Sequence, residues 1–245
     1  MADSVWAPAS GSFTPAATAR SRHSAVVRAT HWITALCFLA LLVSGVEILL
    51  SHPRFYWGEA GNVLTPPLFR LPLPSSRATV PTGYGYVLPD QNGWSRYLHF
   101  QAAWFAVLTG LVYFAYIWQS GHFRRNLLPA RGELSRRSIS MALTKNDPWS
   151  YNVLQRLTYL FVILVLFPLV IWTGLAMSPG FASAIPDAVS VLGGQQSART
   201  LHFFVSVLLV LFFAVHVAMV IAAGFRTRMR AMITGQASSS NEELR

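Results

Sequence analysis

Hydrophobic and polar positions along this chain are grouped in long blocks rather than at the two-residue or short helical periods of a soluble domain. Four blocks, at about residues 30–50, 97–118, 157–177 and 200–224, each supply the roughly 20 predominantly apolar residues that a helix needs to cross the hydrocarbon core of a bilayer. No water reaches that core, so every backbone donor and acceptor must be satisfied within its own segment, and the spans are predicted as α-helices. The expected fold is an all-α integral membrane protein, a four-transmembrane-helix bundle over residues 24–230. A flexible lead-in over residues 1–23 precedes it and a disordered tail over 231–245 follows, both polar and low in apolar content. The long connection 51–96 is rich in proline, glycine and aromatics, and the connection after the third span is expected to hold a short surface helix near "IPDAVSVL".

Composition sharpens this picture. At 53% hydrophobic and 11% charged residues, the chain is too apolar for an ordinary soluble domain. The formal charge of +10 raises nucleic acid as a partner, but the 18 arginines and one lysine mostly flank the apolar blocks. Membrane lipid and membrane orientation account for them, and no nucleic acid is expected. Arg20, Arg22 and Arg28 precede the first span; Arg124, Arg125, Arg131, Arg136, Arg137 and Lys145 lie between the second and third; Arg226, Arg228 and Arg230 follow the fourth. All three groups belong on one side, the cytoplasmic one, which places both termini inside. Arg54, Arg70, Arg77 and Arg96 in the outer connection weaken this asymmetry without reversing it. The N-terminus has no compact apolar core behind a basic start and does not read as a cleaved signal peptide.

The candidate chemistry lies in the histidines. The fourth block, "RTLHFFVSVLLVLFFAVHVAMV", carries His202 and His216. Fourteen residues return a helix to within about 40° of its starting direction after a rise of about 21 Å, so both rings share a face at opposite depths. His31, in "RATHWITALCFLALLVSG", enters at the depth of His216, and His99, in "SRYLHFQAAWFAVLTG", at the depth of His202. Ionisable groups inside spans usually face the bundle interior and serve a function. Two neutral imidazoles from facing helices suit the two axial positions of a low-spin haem iron, so the pairs His31/His216 and His99/His202 are read as ligands of two haems stacked across the bilayer. The single cysteine, Cys37, offers neither CxxC nor CxxCH, so haem is expected to be held non-covalently. One zinc ion cannot be shared by His202 and His216 at that separation. A proton relay is the other reading of buried histidines, although Glu47 alone supplies a carboxylate within a span. His52 competes with His99 for the outer site, and His23 and His122 sit at helix edges. Arg28, Arg96, Arg156 and Arg199 lie near span boundaries, where guanidinium groups suit haem propionates or simple interfacial anchoring.

These residues resemble the bacterial cytochrome b561 / Ni,Fe-hydrogenase cytochrome b subunit family, which includes the formate dehydrogenase gamma subunit. The resemblance spans about residues 24–230 and rests on "RATHW" with "LLVSG", "YLHF", "YNVLQRLTY" with "PLVIWTGLAMSP", and "LHFFVSVLLVLFFAVH". It implies a protein of the bacterial inner membrane holding two haem b groups on His31, His99, His202 and His216 and exchanging electrons with the quinone pool. It also implies a quinone site near the inner haem, where Asn152, Gln155 and Arg156 are the matching polar residues. The expected partner is a periplasmic redox subunit of the molybdopterin oxidoreductase class, ahead of the hydrogenase class, and a homo-oligomer is compatible with the sequence.

On this reading the chain is an electron-transfer subunit of an oxidoreductase complex rather than a stand-alone catalyst. The long outer connection serves either as a docking surface for the partner or as a lid over the outer haem. Two alternatives stay open. One is a self-sufficient superoxide:quinone oxidoreductase of the same fold, and the other a haem-free transporter or structural membrane protein, although broken or repeated helices are not evident.

Overall fold

The computed structural model describes residues 24–61, 64–73, 93–121 and 153–235, with the backbone alone for 153–156. Ser24 opens the regular structure: its Oγ accepts the Val27 N–H at 3.3 Å and caps α1, Ala25–Ser51. Helix α2 covers Gly93–Gln119. The third span is composite, with α3 at Val153–Phe161, a π-helical turn at Val162–Leu166 and α4 at Phe167–Ala176. Two short helices, α5 (Pro179–Ala184) and α6 (Pro186–Ser190), lead to α7, Gln195–Ala222. Among the described residues, helices at 25–51, 93–119, 157–176 and 195–222 are long and apolar enough to cross a membrane. The chain is a multi-pass membrane protein, with its spans where the hydropathy blocks place them.

The distribution of side chains is that of a bundle in lipid. Leu36, Phe105, Leu111, Trp118 and Ile221 are exposed, whereas Thr30, Ser44, Thr109 and Thr173 are buried. Small hydroxyl residues let helices approach, and within the helix their O–H groups are satisfied without water. Thr30 donates to the Val26 carbonyl at 2.8 Å, Ser44 to Ala40 at 2.6 Å and Thr173 to Leu169 at 2.7 Å.

The helices associate as two close pairs, α1 along α2 and α4 along α7. Val162, Leu166, Val205 and Leu209 form the apolar contact of the second pair. Among the described residues neither α1 nor α2 shares an extended stretch of close backbone packing with α7. Side chains span the intervening space, including Phe38 and Phe213 with ring centroids 5.0 Å apart.

Proline explains the break in the third span. Pro168 has no N–H, so the carbonyl four residues earlier loses its α-helical donor, and the chain responds with a wider turn in which the Phe167 N–H reaches the Val162 carbonyl five residues back. The apolar block at 157–177 by itself predicts an uninterrupted helix.

The connection after α1 forms a built strap. Strands β1 (Arg54–Phe55) and β2 (Phe69–Arg70) pair antiparallel, with Arg54 opposite Arg70 and Phe55 opposite Phe69. The Phe55 ring stacks on Phe69 at 4.7 Å and meets Phe203 of α7 at 4.6 Å. The strap then caps the start of α7: Gly58 donates to Ser197 Oγ at 2.7 Å, the Gln196 N–H reaches the Gly58 carbonyl at 2.9 Å, and Thr200 Oγ1 donates to the Tyr56 carbonyl at 2.7 Å. The Gln195 N–H is taken by a Glu59 carboxylate oxygen at 3.2 Å, an anion at the positive end of the helix. Gly194 is required for this contact, since a Cβ there would stand 2.7 Å from the Gly58 backbone.

At the opposite end, where α1 begins and α7 finishes, Gly224 turns left-handed (φ 91°) and starts α8, Phe225–Thr234. The Trp32 indole N–H donates to the Met232 carbonyl at 3.2 Å and ties α8 to α1. Helical structure thus continues through residues 231–234, where the polar composition predicts a disordered tail over 231–245. The predicted surface helix near "IPDAVSVL" is α6, held by the Trp172 indole N–H on the Ala188 carbonyl at 3.0 Å.

Candidate functional site

The face of α7 that looks across the gap carries both of its histidines, each opposite a histidine from the other helix pair. His202 meets His99 of α2 with ring centroids 6.3 Å apart and planes at 62°, at the strap end. His216 meets His31 of α1 at 6.3 Å and 51°, at the terminal end. All four residues are removed from full exposure by their neighbours.

That spacing can be tested against a metal between the rings. An imidazole nitrogen sits about 2 Å from a bound metal, and a five-membered ring with bonds of about 1.33 Å has its atoms about 1.1 Å from its centre. Two rings on opposite faces of one iron therefore have centroids about 6.2 Å apart, against 6.3 Å in both pairs. Direct hydrogen bonding between rings requires a closer approach. Among the described residues no group of three or more His, Cys, Asp or Glu side chains stands close enough to share an ion, so the histidines come as pairs. Paired axial donors in an apolar gap between helices fit a flat macrocycle.

The surroundings of the two pairs differ. At the strap end His99 Nδ1 lies 3.0 Å from Ser44 Oγ, and His202 Nδ1 lies 3.1 Å from Thr173 Oγ1. Each hydroxyl residue is followed by a glycine that lets the ring approach its helix. An added Cβ at Gly45 would sit 3.6 Å from His99 Cε1, and at Gly174 3.3 Å from His202 Cε1. At the terminal end His31 Nδ1 is buried with no hydrogen-bond partner among the described residues. Rings enclose that pair instead, with Trp32 edge-on to His31 at 5.4 Å and Phe212 near-parallel to His216 at 5.9 Å.

The other sequence-predicted residues fall in several places. His52 ends α1, with Nδ1 3.4 Å from the Ile48 carbonyl, and joins neither pair. The Arg199 guanidinium donates to the His52 carbonyl and lies 5.3 Å over the Phe55 ring, so it anchors the strap. Arg28 is half-buried in the first turn of α1, and Arg96 is exposed one turn before His99. Gln155 and Arg156 lie in α3, where the backbone alone is described; Asn152, His23 and His122 fall outside the described residues. Sequence reasoning missed Ser44, Gly45, Thr173 and Gly174. Their signal is a hydroxyl–glycine dipeptide in each of two apolar spans, "SG" in "LLVSG" and "TG" in "IWTGL".

A multi-span helix bundle that sets imidazoles opposite one another between helices has the architecture of a membrane cytochrome b. The chain belongs to the prokaryotic cytochrome b561 family, which it matches over residues 22–235. Membership implies haem b and a role in membrane electron transfer. A similar protein from Azospira oryzae (strain ATCC BAA-33 / DSM 13638 / PS), named putative protein-methionine-sulfoxide reductase subunit YedZ1, is 29% identical over 211 residues, covering 81% of this chain and 89% of the relative. No solved structure is a significant match.

Proposed function

We propose that this chain is a di-haem cytochrome b of the bacterial inner membrane that carries electrons between the quinone pool and a periplasmic oxidoreductase. The observation carrying the proposal is the pair of 6.3 Å imidazole separations, one at each end of the bundle. His99 and His202 hold the haem near the strap, and His31 and His216 hold the second near the termini. Bound there, haem b supplies a one-electron redox centre at each level. The chain's own residues set the separation of the two levels through the fourteen-residue interval on α7, about 21 Å of helix rise. Phe38 and Phe213 pack across the gap and keep water from it.

The arginine-rich segments support a cytoplasmic position for both termini, which puts the strap on the periplasmic side. A partner of the molybdopterin oxidoreductase class docks there in this reading, and the relative named as a reductase subunit supports delivery of electrons to a reductase. Arg28 and Arg96 are the propionate candidates. Arg199 is assigned to the strap instead, because its guanidinium already serves the His52 carbonyl and the Phe55 ring. Quinone is assigned to the cytoplasmic end of the third span, beside Asn152, Gln155 and Arg156.

The test is haem stoichiometry. Purified chain is expected to give a b-type reduced-minus-oxidised spectrum with two haems per chain; His202→Ala loses the strap-end haem and His216→Ala the terminal one. Unchanged haem content in both variants rejects the ligand set. A redox subunit that co-purifies identifies the partner.

A further inference from the structure

The two histidine pairs differ in what holds the nitrogen turned away from the gap, and this asymmetry has a chemical reading that rests on the di-haem proposal. Ser44 has one O–H, and it points to the Ala40 carbonyl at 2.6 Å. With that proton placed on the carbonyl, the oxygen offers His99 Nδ1, 3.0 Å away, an acceptor for a ring N–H. Thr173 repeats the arrangement, with its O–H on the Leu169 carbonyl at 2.7 Å and its oxygen 3.1 Å from His202 Nδ1. With both hydroxyl protons committed to their own helices, the arrangement favours Nδ1–H tautomers at His99 and His202, which leave the Nε2 lone pair bare. Ser44 and Thr173 are both wholly buried, so water does not compete for these contacts. No such partner meets His31 Nδ1 among the described residues.

We infer that Ser44 and Thr173 are positioning residues that fix the tautomer and aim of His99 and His202 and lower the reduction potential of the strap-end haem relative to what its histidines alone would give. An imidazole that donates through Nδ1 is a more basic ligand at Nε2. A more basic ligand favours ferric over ferrous iron. One hydroxyl stands beside each of the two imidazoles that would hold this haem, so both contributions would act on the same group. Among the described residues His31 Nδ1, at the terminal pair, has no such hydroxyl.

The experiment is a potentiometric titration of the purified chain as Ser44→Ala, Thr173→Val and the conservative Ser44→Thr and Thr173→Ser, each also in a His216→Ala background that isolates the strap-end haem. Losing one hydroxyl is expected to weaken the ferric preference on the order of tenfold, which for a one-electron couple raises that midpoint by about 59 mV. The terminal midpoint stays in place, and the conservative variants return the wild-type value. Loss of the strap-end haem from Ser44→Ala and Thr173→Val, with retention in the conservative variants, also supports positioning. Unchanged midpoints, equal shifts of both haems, or loss of haem in all four variants overturn the inference while leaving the di-haem reading intact. A colourless wild-type chain overturns both.

Discussion

Ser197→Ala perturbs the joint between the strap and α7 at one atom. Ser197 Oγ accepts the Gly58 N–H at 2.7 Å and donates to the Gly193 carbonyl at 2.9 Å, and the residue is wholly buried. Alanine removes both bonds and leaves the Gly58 donor without its acceptor in a part-buried joint. Leaving a buried polar group unsatisfied costs about 1–3 kcal/mol. At about 1.4 kcal/mol per factor of ten, local opening of the strap becomes about 5- to 150-fold more frequent. The Gln196 and Ser197 N–H groups still reach the Gly58 carbonyl, at 2.9 and 3.3 Å, so the strap remains docked most of the time. Hydrogen–deuterium exchange of the protein in lipid nanodiscs reads this directly. Peptides over residues 52–61 are expected to exchange faster in the variant, with α1 and α2 unchanged. Unaltered exchange over 52–61, or equal acceleration throughout the bundle, refutes the reasoning. Thr200→Val, which keeps the volume and deletes the donor to the Tyr56 carbonyl, is expected to act in the same direction.

The two glycines behind the strap-end histidines should respond differently to a methyl group. Gly174→Ala places a Cβ 3.3 Å from His202 Cε1, closer than nearly all real contacts, whereas Gly45→Ala sits at an ordinary 3.6 Å from His99 Cε1. Gly174→Ala is expected to weaken haem retention about 10- to 100-fold and Gly45→Ala to leave it near wild type; equal haem absorbance per chain in the two variants refutes the distinction. Trp32→Phe removes the indole donor to Met232. It should cost about 0.5–1.5 kcal/mol and speed exchange over α8 by roughly 2- to 13-fold, and unchanged exchange over residues 225–234 refutes the tether.

The spans were legible because their cause is local. A run of apolar residues long enough for the hydrocarbon core leaves the backbone no option but a helix, whatever its neighbours do. The grouping of His202 with His216 on one face follows from helix pitch alone, and the depth of His31 and His99 from their positions at the starts of their spans. Ser44 and Thr173 were not legible as partners of histidines. Their link to His99 and His202 depends on the rotation of α1 against α2 and of α4 against α7, about which periodicity says nothing in helices apolar on every side. The π turn at Val162–Leu166 had a local cue, Pro168, but proline in a span is equally compatible with a kink.

The sequence by itself therefore determined that this is a helical membrane protein with paired imidazoles at two depths, since length, hydropathy and pitch act within single segments. Tertiary structure alone decided that the connection after α1 folds back as a strap onto α7, that Arg199 serves this strap, and that among the described residues the strap-end pair is the one with hydroxyl partners. Each of those features joins residues far apart in the chain through bonds of about 3 Å, and such contacts exist only after helices with no mutual sequence signal have found their relative orientation.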